Sequence, residues 1–118
     1  MKITTFNPLY TTNNIDDSLA RWGKIGFKEK HLIELPDYQD YILENEAGNR
    51  IDMVQTDLAR YEDLFALRMN VDDFEEGKAF LKSLGFNEES ETFKATFAEY
   101  KFFKNINDVK IILVHHIK

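Results

Sequence analysis

The sequence predicts an α+β protein built as two tandem βαβββ modules, and three observations predict it. A capped amphipathic helix closed by Gly-Phe occurs twice, opening at Asn14 and Asp73, 59 positions apart in a chain of 118. Each copy follows a strand-like run and precedes further strand-like segments broken by turn signals. A repeat of half the chain length implies two copies of one supersecondary unit, each needing its neighbour to bury an apolar face. The repeats fall at about 1–59 and 60–118 within a single domain, a length that buries a small core without staples.

The first module opens on a β-rich run over 3–12, where Phe6, Pro8, Tyr10 and Thr12 alternate with Asn7, Leu9 and Thr11. Pro8 lacks an N–H, so this strand is expected at a sheet edge, or with Pro8 facing away from its neighbour. Asn13-Asn14 supplies an N-cap, with Asp16 and Asp17 in the first helical turn. Ile15, Leu19, Trp22 and Ile25 form the apolar stripe, which makes Trp22 a core residue; Gly26 closes the helix and Phe27 starts the next strand. Strands over 27–35 and 38–45 meet at a Pro36-Asp37 turn. The turn from Glu46 to Asn49 then leads into a fourth strand over 50–55. Residues 56–63 read as the linker.

The second module repeats the plan. A strand over 65–71 precedes a helix capped by Asp73, with a stripe of Phe74, the Lys78 stem, Leu81 and Leu84, and the exit Gly85-Phe86. Gly77 inside this helix costs about 1 kcal/mol relative to Ala, which a close approach of helix to sheet explains. Strands over 86–90, 96–104 and 109–117 follow, the last two joined by a turn from Asn105 to Asp108.

Composition narrows the function. Hydrophobic residues at 43% and aromatics at 14% describe a packed globule rather than a disordered chain. Cysteine is absent, which excludes disulfides, thiolate metal sites and cysteine nucleophiles. The net charge of −6 is scattered, which argues against nucleic acid or an anionic membrane as partner, since both reward a basic stripe. No signal-peptide region and no run near the roughly 18 apolar residues of a membrane span is visible, so a cytoplasmic protein is expected. Ser18, Ser83 and Ser90 lack a nucleophile-elbow context, and no glycine-rich phosphate loop exists.

The stretch YTTNNIDDSLARWGKIGF, its echo LRMNVDDFEEGKAFLKSLGF and the hairpin EAGNRIDMV resemble the vicinal oxygen chelate superfamily. That superfamily includes glyoxalase I, extradiol dioxygenases, methylmalonyl-CoA epimerase and the bleomycin-resistance proteins. The resemblance covers essentially the whole chain. It implies a curved, cup-shaped mixed sheet with the helices on its convex side, and commonly a homodimer. In metal-dependent members it places ligands on the first and fourth strands of each module. By position these fall on Asn7 and Asp52 in module one, and on Ala66 and Ile112 in module two.

A catalytic divalent metal needs about three good protein ligands. Ala66 and Ile112 have no donor atom, Asn7 is a weak donor, and only Asp52 is a good one. No metal and no other cofactor is therefore expected. Histidine does not repair the set: His115 and His116 are adjacent on a strand and point to opposite faces, so both cannot hold one ion, and His31 lies on a different strand. Terminal, partly exposed histidines are the simpler reading.

Period-two alternation sends Leu67, Met69 and Val71 to the helix and Ala66, Arg68 and Asn70 to the concave side. The same face receives Asn7, Leu9 and Thr11 from the first strand, Asp52 and Val54 from the fourth, and Ile112 and Val114 from the last. This apolar surface with a few polar groups suits a small organic ligand. Asn7, Leu9, Asp52, Arg68, Ile112 and Val114 are the candidate ligand-binding residues, and no catalytic residue is assigned. Arg68 offers a forked donor to a ligand carboxylate or phosphate, with a structural ion pair, for instance to Asp52, as the alternative. Tyr38, Tyr41 and Tyr61 fall at turns, strand starts or the linker, as rings that close over the cup or as ordinary surface tyrosines, and Phe93, Phe97, Phe102 and Phe103 build core, ligand wall or dimer patch. The function expected is small-molecule binding of the bleomycin-resistance type. The alternatives are a metal-dependent lyase, isomerase or dioxygenase of the same superfamily, and a dimeric interaction scaffold without ligand.

Overall fold

A computed structural model describes residues 1–34, 36, 39–55 and 63–117, without the side chains of 63 and 64. Asp37 of the expected turn, Tyr38, Tyr61 and linker residues 56–62 lie outside the described residues. The elements in order are β1 (Ile3–Thr12), α1 (Ile15–Lys24), β2 (Lys28–Glu34), β3 (Gln39–Glu44), β4 (Arg50–Gln55), β5 (Asp63–Val71), α2 (Phe74–Ser83), β6 (Asn87–Glu88), β7 (Phe93–Lys94), β8 (Ala98–Lys104) and β9 (Lys110–His116). The result is an α+β fold of two helices on mixed sheet.

The chain gathers into two compact units, 8–65 and 1–7 with 66–118. In the first unit the strand order is β2-β3-β4-β1. The β2/β3 and β3/β4 pairs are antiparallel, and β4 runs parallel to β1 from the Leu9–Asp52 pair onward. In the second unit the opening half of β1 lies beside β5, followed by β9, β8 and β6, with β7 also on β8. The β5/β9 pair is parallel and the pairs made by β8 are antiparallel. Within each unit, then, β1 is the terminal strand. Pro8 directly precedes Leu9, where the pairing of β1 with β4 begins.

The two helices are built alike. The Asn14 side chain accepts from the Asp17 N–H at 3.2 Å, and that of Asp73 from the Glu76 N–H at 3.0 Å. At the far ends Gly26 and Gly85 adopt φ of +104° and +90°. The next residue's N–H then turns back, from Phe27 to the Trp22 carbonyl at 3.1 Å and from Phe86 to the Leu81 carbonyl at 3.0 Å. The repeat seen in the sequence is thus a repeated pair of caps.

Each helix covers one face of its unit's sheet. Ile15, Leu19 and Trp22 of α1 pack with Leu43, Ile51 and Met53, joined by Tyr10, Phe27 and Tyr41. Trp22 makes edge contacts with Tyr10 at 5.4 Å and Phe27 at 5.7 Å, and Tyr41 belongs to this core rather than to a lid. Phe74 and Leu81 of α2 pack with Met69, Val71, Phe103, Ile111 and Leu113, and the Lys78 ammonium lies 5.2 Å from the Phe74 ring centre. Gly77 is where helix and strand come closest: a Cβ there would stand 2.9 Å from Leu113 Cδ1 and 3.1 Å from Val71 Cγ2.

Three expectations need correction. Ile25 and Leu84 are not part of the buried stripes, being 67% and 57% exposed; each sits on the closing turn, past the last residue that reaches the sheet. The strand expected over 86–90 is only Asn87–Glu88, with an unforeseen second pairing at Phe93–Lys94. Ser90 explains the break. Its hydroxyl accepts the Phe102 N–H at 3.0 Å and donates to the Glu91 carbonyl at 2.8 Å, substituting side-chain bonds for the ladder.

Candidate ligand site

The candidate residues divide between the units. In the unit formed by 1–7 and 66–118, β5 turns Ala66, Arg68 and Asn70 away from α2, as alternation requires once Met69 and Val71 face the helix. Register sets Arg68 beside Ile112 and Asn70 beside Val114 on β9, and these beside Phe102 and Tyr100 on β8. Asn7 joins from β1. Its Oδ1 accepts a hydrogen bond from Arg68 Nε at 3.0 Å. Phe93 of β7 leans on this side, 5.3 Å from the Tyr100 ring and 6.1 Å from that of Phe102.

Ile112 and Val114 are buried, at 5% and 7% exposed, much as Ile111 is on the helix side at 6%. Arg68 and Asn7 are half-buried. The arrangement is an apolar floor beside a guanidinium whose aim is fixed by an amide.

His116 lies at the end of β9. Its Nε2 is 3.1 Å from Asn70 Nδ2; with the amide nitrogen as donor, Nε2 is the acceptor and the ring is neutral. Asn70 Oδ1 is buried with no hydrogen-bond partner among the described residues. The residue as a whole reaches solvent, yet loss of hydration around its ring, then the charge of Arg68, then that of His115, hold His116 below its ordinary pKa. His115 takes the opposite face, with Nδ1 3.9 Å from Glu99 Oε2 and its ring 6.4 Å from that of Phe74. His31 is exposed on β2 at a register shift.

In the other unit, Leu9 and Asp52 are register partners on β1 and β4, and both are buried. Asp40, buried beside Val54 on β3, shares the Asp52 side of the sheet and was not singled out from the sequence. Asn70, which alternation had already put on this face, was left outside the six candidates, as were His116 and Phe102. Alternation also reaches these two, since His116 is two positions from Val114 and Phe102 lies opposite Ile112. A surface groove along β2 and the β3–β4 hairpin carries Lys28, Glu29, Lys30 and Glu44, and ion pairs of Glu44 with Lys30 at 2.9 Å and Arg50 at 3.6 Å balance its charge.

The donor set does not fit the superfamily's metal. Ala66 and Ile112 are buried and apolar, and Asn7 gives its oxygen to a guanidinium, a cation that repels a metal ion. Among the described residues no three of His, Asp and Glu gather closely enough to hold one. No step through a metal is derived.

Neither a protein-family model nor a curated protein sequence matches the chain. Solved structures do. Methylmalonyl-CoA epimerase from Mycobacterium tuberculosis matches at 15% identity and TM-score 0.55, over 98% of this chain and 90% of that one. A hypothetical protein from Bacillus halodurans C-125 matches at 18% identity and 0.57, over 99% and 95%. A protein from Staphylococcus aureus matches at 12% identity and 0.61, over 98% and 99%. Among the described residues no helix is long and apolar enough to cross a membrane. These full-length likenesses, with the twice-capped helix and the parallel β1/β4 and β5/β9 pairs, show that the chain has the vicinal oxygen chelate fold.

Proposed function

We propose that this protein binds a small organic molecule without a metal, in the manner the bleomycin-resistance branch of the superfamily suggests. The ligand lies on the side of β5, β8 and β9 turned away from α2. In this reading that side is the concave face of a cup, and the ligand contacts are Arg68 and Asn7 at the rim with Ile112 and Val114 below. Leu9 and Asp52 are the corresponding contacts of the other unit. The observation that carries the reading is the placement of a half-buried Arg68, held by Asn7, directly beside apolar Ile112 in register. A ligand pocket of this kind combines apolar walls with a few fixed polar groups. The metal-dependent lyase, isomerase or dioxygenase alternative has less support, because two of its four ligand places carry no donor. The protein works in the cytoplasm as a homodimer in this account, with exposed Ile3 and Phe6 on β1 as contact residues.

The test is a ligand-observed NMR screen of a diverse fragment library against the wild type and Val114→Phe, whose ring fills the floor. Binding fragments that lose their signal with Val114→Phe, in a variant that still unfolds cooperatively, are the expected result. Fragments indifferent to that substitution, or no binders at all, contradict the proposal.

A further inference from the structure

We infer that the occupant of this face is an uncharged aromatic molecule whose ring lies against Phe93, Tyr100 and Phe102 and whose N–H or O–H donates to Asn70 Oδ1. The inference rests on the site proposed above and adds the chemical class of its ligand. Register aligns Asn70 of β5, Val114 of β9, Tyr100 of β8 and Phe93 of β7 in one row across four strands. Partners in register share a face. The row therefore runs from an amide at one end, over a valine, to aromatic rings at the other.

At the polar end, Asn70 is 6% exposed and its Oδ1 has no hydrogen-bond partner among the described residues. Its Nδ2 is engaged, 3.1 Å from His116 Nε2. What the side chain lacks is a donor, and a buried acceptor left unmade is costly. A ligand lying over Val114, one strand away, brings that donor to it. The donor is uncharged. Lost hydration first, then the charges of Arg68 and His115, disfavour the protonated form of His116, and an ammonium docked beside that ring meets the same penalties.

At the other end three rings form an angular wall. Phe93 lies 5.3 Å from Tyr100 at 30°, and Phe102 stands steeply across both, 6.1 Å from each at 76° and 87°. Such a wall offers a further ring both a face and an edge, the two arrangements that aromatic pairs favour. β5 and β8 are two strand spacings apart, about 10 Å, so ring and donor are joined through a short linker of about two or three atoms.

Isothermal titration with hydrocinnamamide, methyl hydrocinnamate, phenylpropylamine and cyclohexylpropanamide tests this. The ester lacks the donor, the amine is a cation at neutral pH, and the cyclohexyl amide lacks the aromatic face. Hydrocinnamamide should bind about tenfold more tightly than the ester or the amine, and at least about threefold more tightly than the cyclohexyl amide. Asn70→Leu removes the acceptor at similar volume and should abolish the preference for amide over ester. Tyr100→Leu should abolish the preference for phenyl over cyclohexyl and keep that for amide over ester. Equal binding of amide and ester, equal binding of the phenyl and cyclohexyl amides, or an amide preference that survives Asn70→Leu would overturn the inference. If those probes still lose affinity with Val114→Phe, the binding face stands without it. Failure of all four probes, while fragments of the screen bind and respond to Val114→Phe, likewise overturns the inference alone. Absence of binding by probes and fragments together would remove the face itself as a ligand site.

Discussion

Arg68 Nε donates to Asn7 Oδ1 at 3.0 Å, joining two residues 61 positions apart in one unit of the fold. The bond determines both the direction of the guanidinium and the use of Asn7, the residue that falls at a metal-ligand place of the superfamily. In this chain that place positions a cation. Asn7→Ala should cost about 1.5–3 kcal/mol in urea unfolding, the usual worth of a hydrogen bond to a charged group. It should also weaken binding of the fragments that the wild type takes up, by freeing the guanidinium to reorient. Unchanged stability and unchanged binding together would show that the bond does neither.

The two helical glycines give substitutions of opposite sign. Gly23 in α1 has open space where a Cβ would stand, so Gly23→Ala should stabilise by about 0.5–1 kcal/mol through helix propensity. Gly77→Ala gains the same propensity but places its Cβ 2.9 Å from Leu113 Cδ1, and Leu113 is fully buried and cannot yield. A net loss of about 1–2 kcal/mol is expected, since overpacking typically costs more than the propensity gained. Chemical denaturation of both variants checks the pair.

Lys101 is a buried charge on β8, with its ammonium 3.3 Å from Glu88, which Lys82 of α2 also approaches at 3.0 Å. Hydrogen bonds from Lys82, and then from Lys101, hold the Glu88 carboxyl below the usual range. A depressed carboxylate contributes stability that is present above its unfolded pKa and is lost as pH falls through the folded one. Glu88→Gln should therefore destabilise at neutral pH, by about 1–3 kcal/mol for the stranded lysine, discounted for the partly exposed carboxylate. It should also flatten the acid limb of the stability curve. Lys101→Met should be nearly neutral, because a hydrophobic replacement of similar length needs no partner.

His116 gives a second pH dependence. Its folded pKa lies below the ordinary 6.5, so on acidification the unfolded chain takes up this proton first. Below pH 6.5 the unfolded state binds more protons, and stability falls as pH drops toward the folded pKa. The structural cost is specific: a protonated His116 donates from Nε2, and Asn70 must turn its amide to offer Oδ1 in place of Nδ2. His116→Gln should remove this segment of the slope in thermal melts taken across that range.

Much of the fold was legible because caps and alternation are local. Asn14 and Asp73, followed by Gly26 and Gly85, marked both helices, and β1 and β4 were placed to the residue. Ser90 escaped because nothing in the sequence says that its hydroxyl, rather than a backbone carbonyl, takes the Phe102 N–H. Ile25 and Leu84 misled because spacing places a residue on a stripe without telling whether the sheet extends that far. For the site, alternation gave the face of Arg68, Ile112 and Val114. The Asn7 contact depends on how β1 lies against β5, which is a tertiary fact. His116 and Asn70 meet for the same reason, across two strands whose register the sequence leaves open.

The most direct test of the account is a map of backbone amide shifts in ¹⁵N-labelled protein titrated with the tightest-binding fragments of the screen. The account predicts saturable changes concentrated on Arg68 and Asn70 of β5 and on Ile112, Val114 and His116 of β9, with α2 unmoved. Changes confined to α2 or to the β3–β4 hairpin, or none at any concentration, would contradict it.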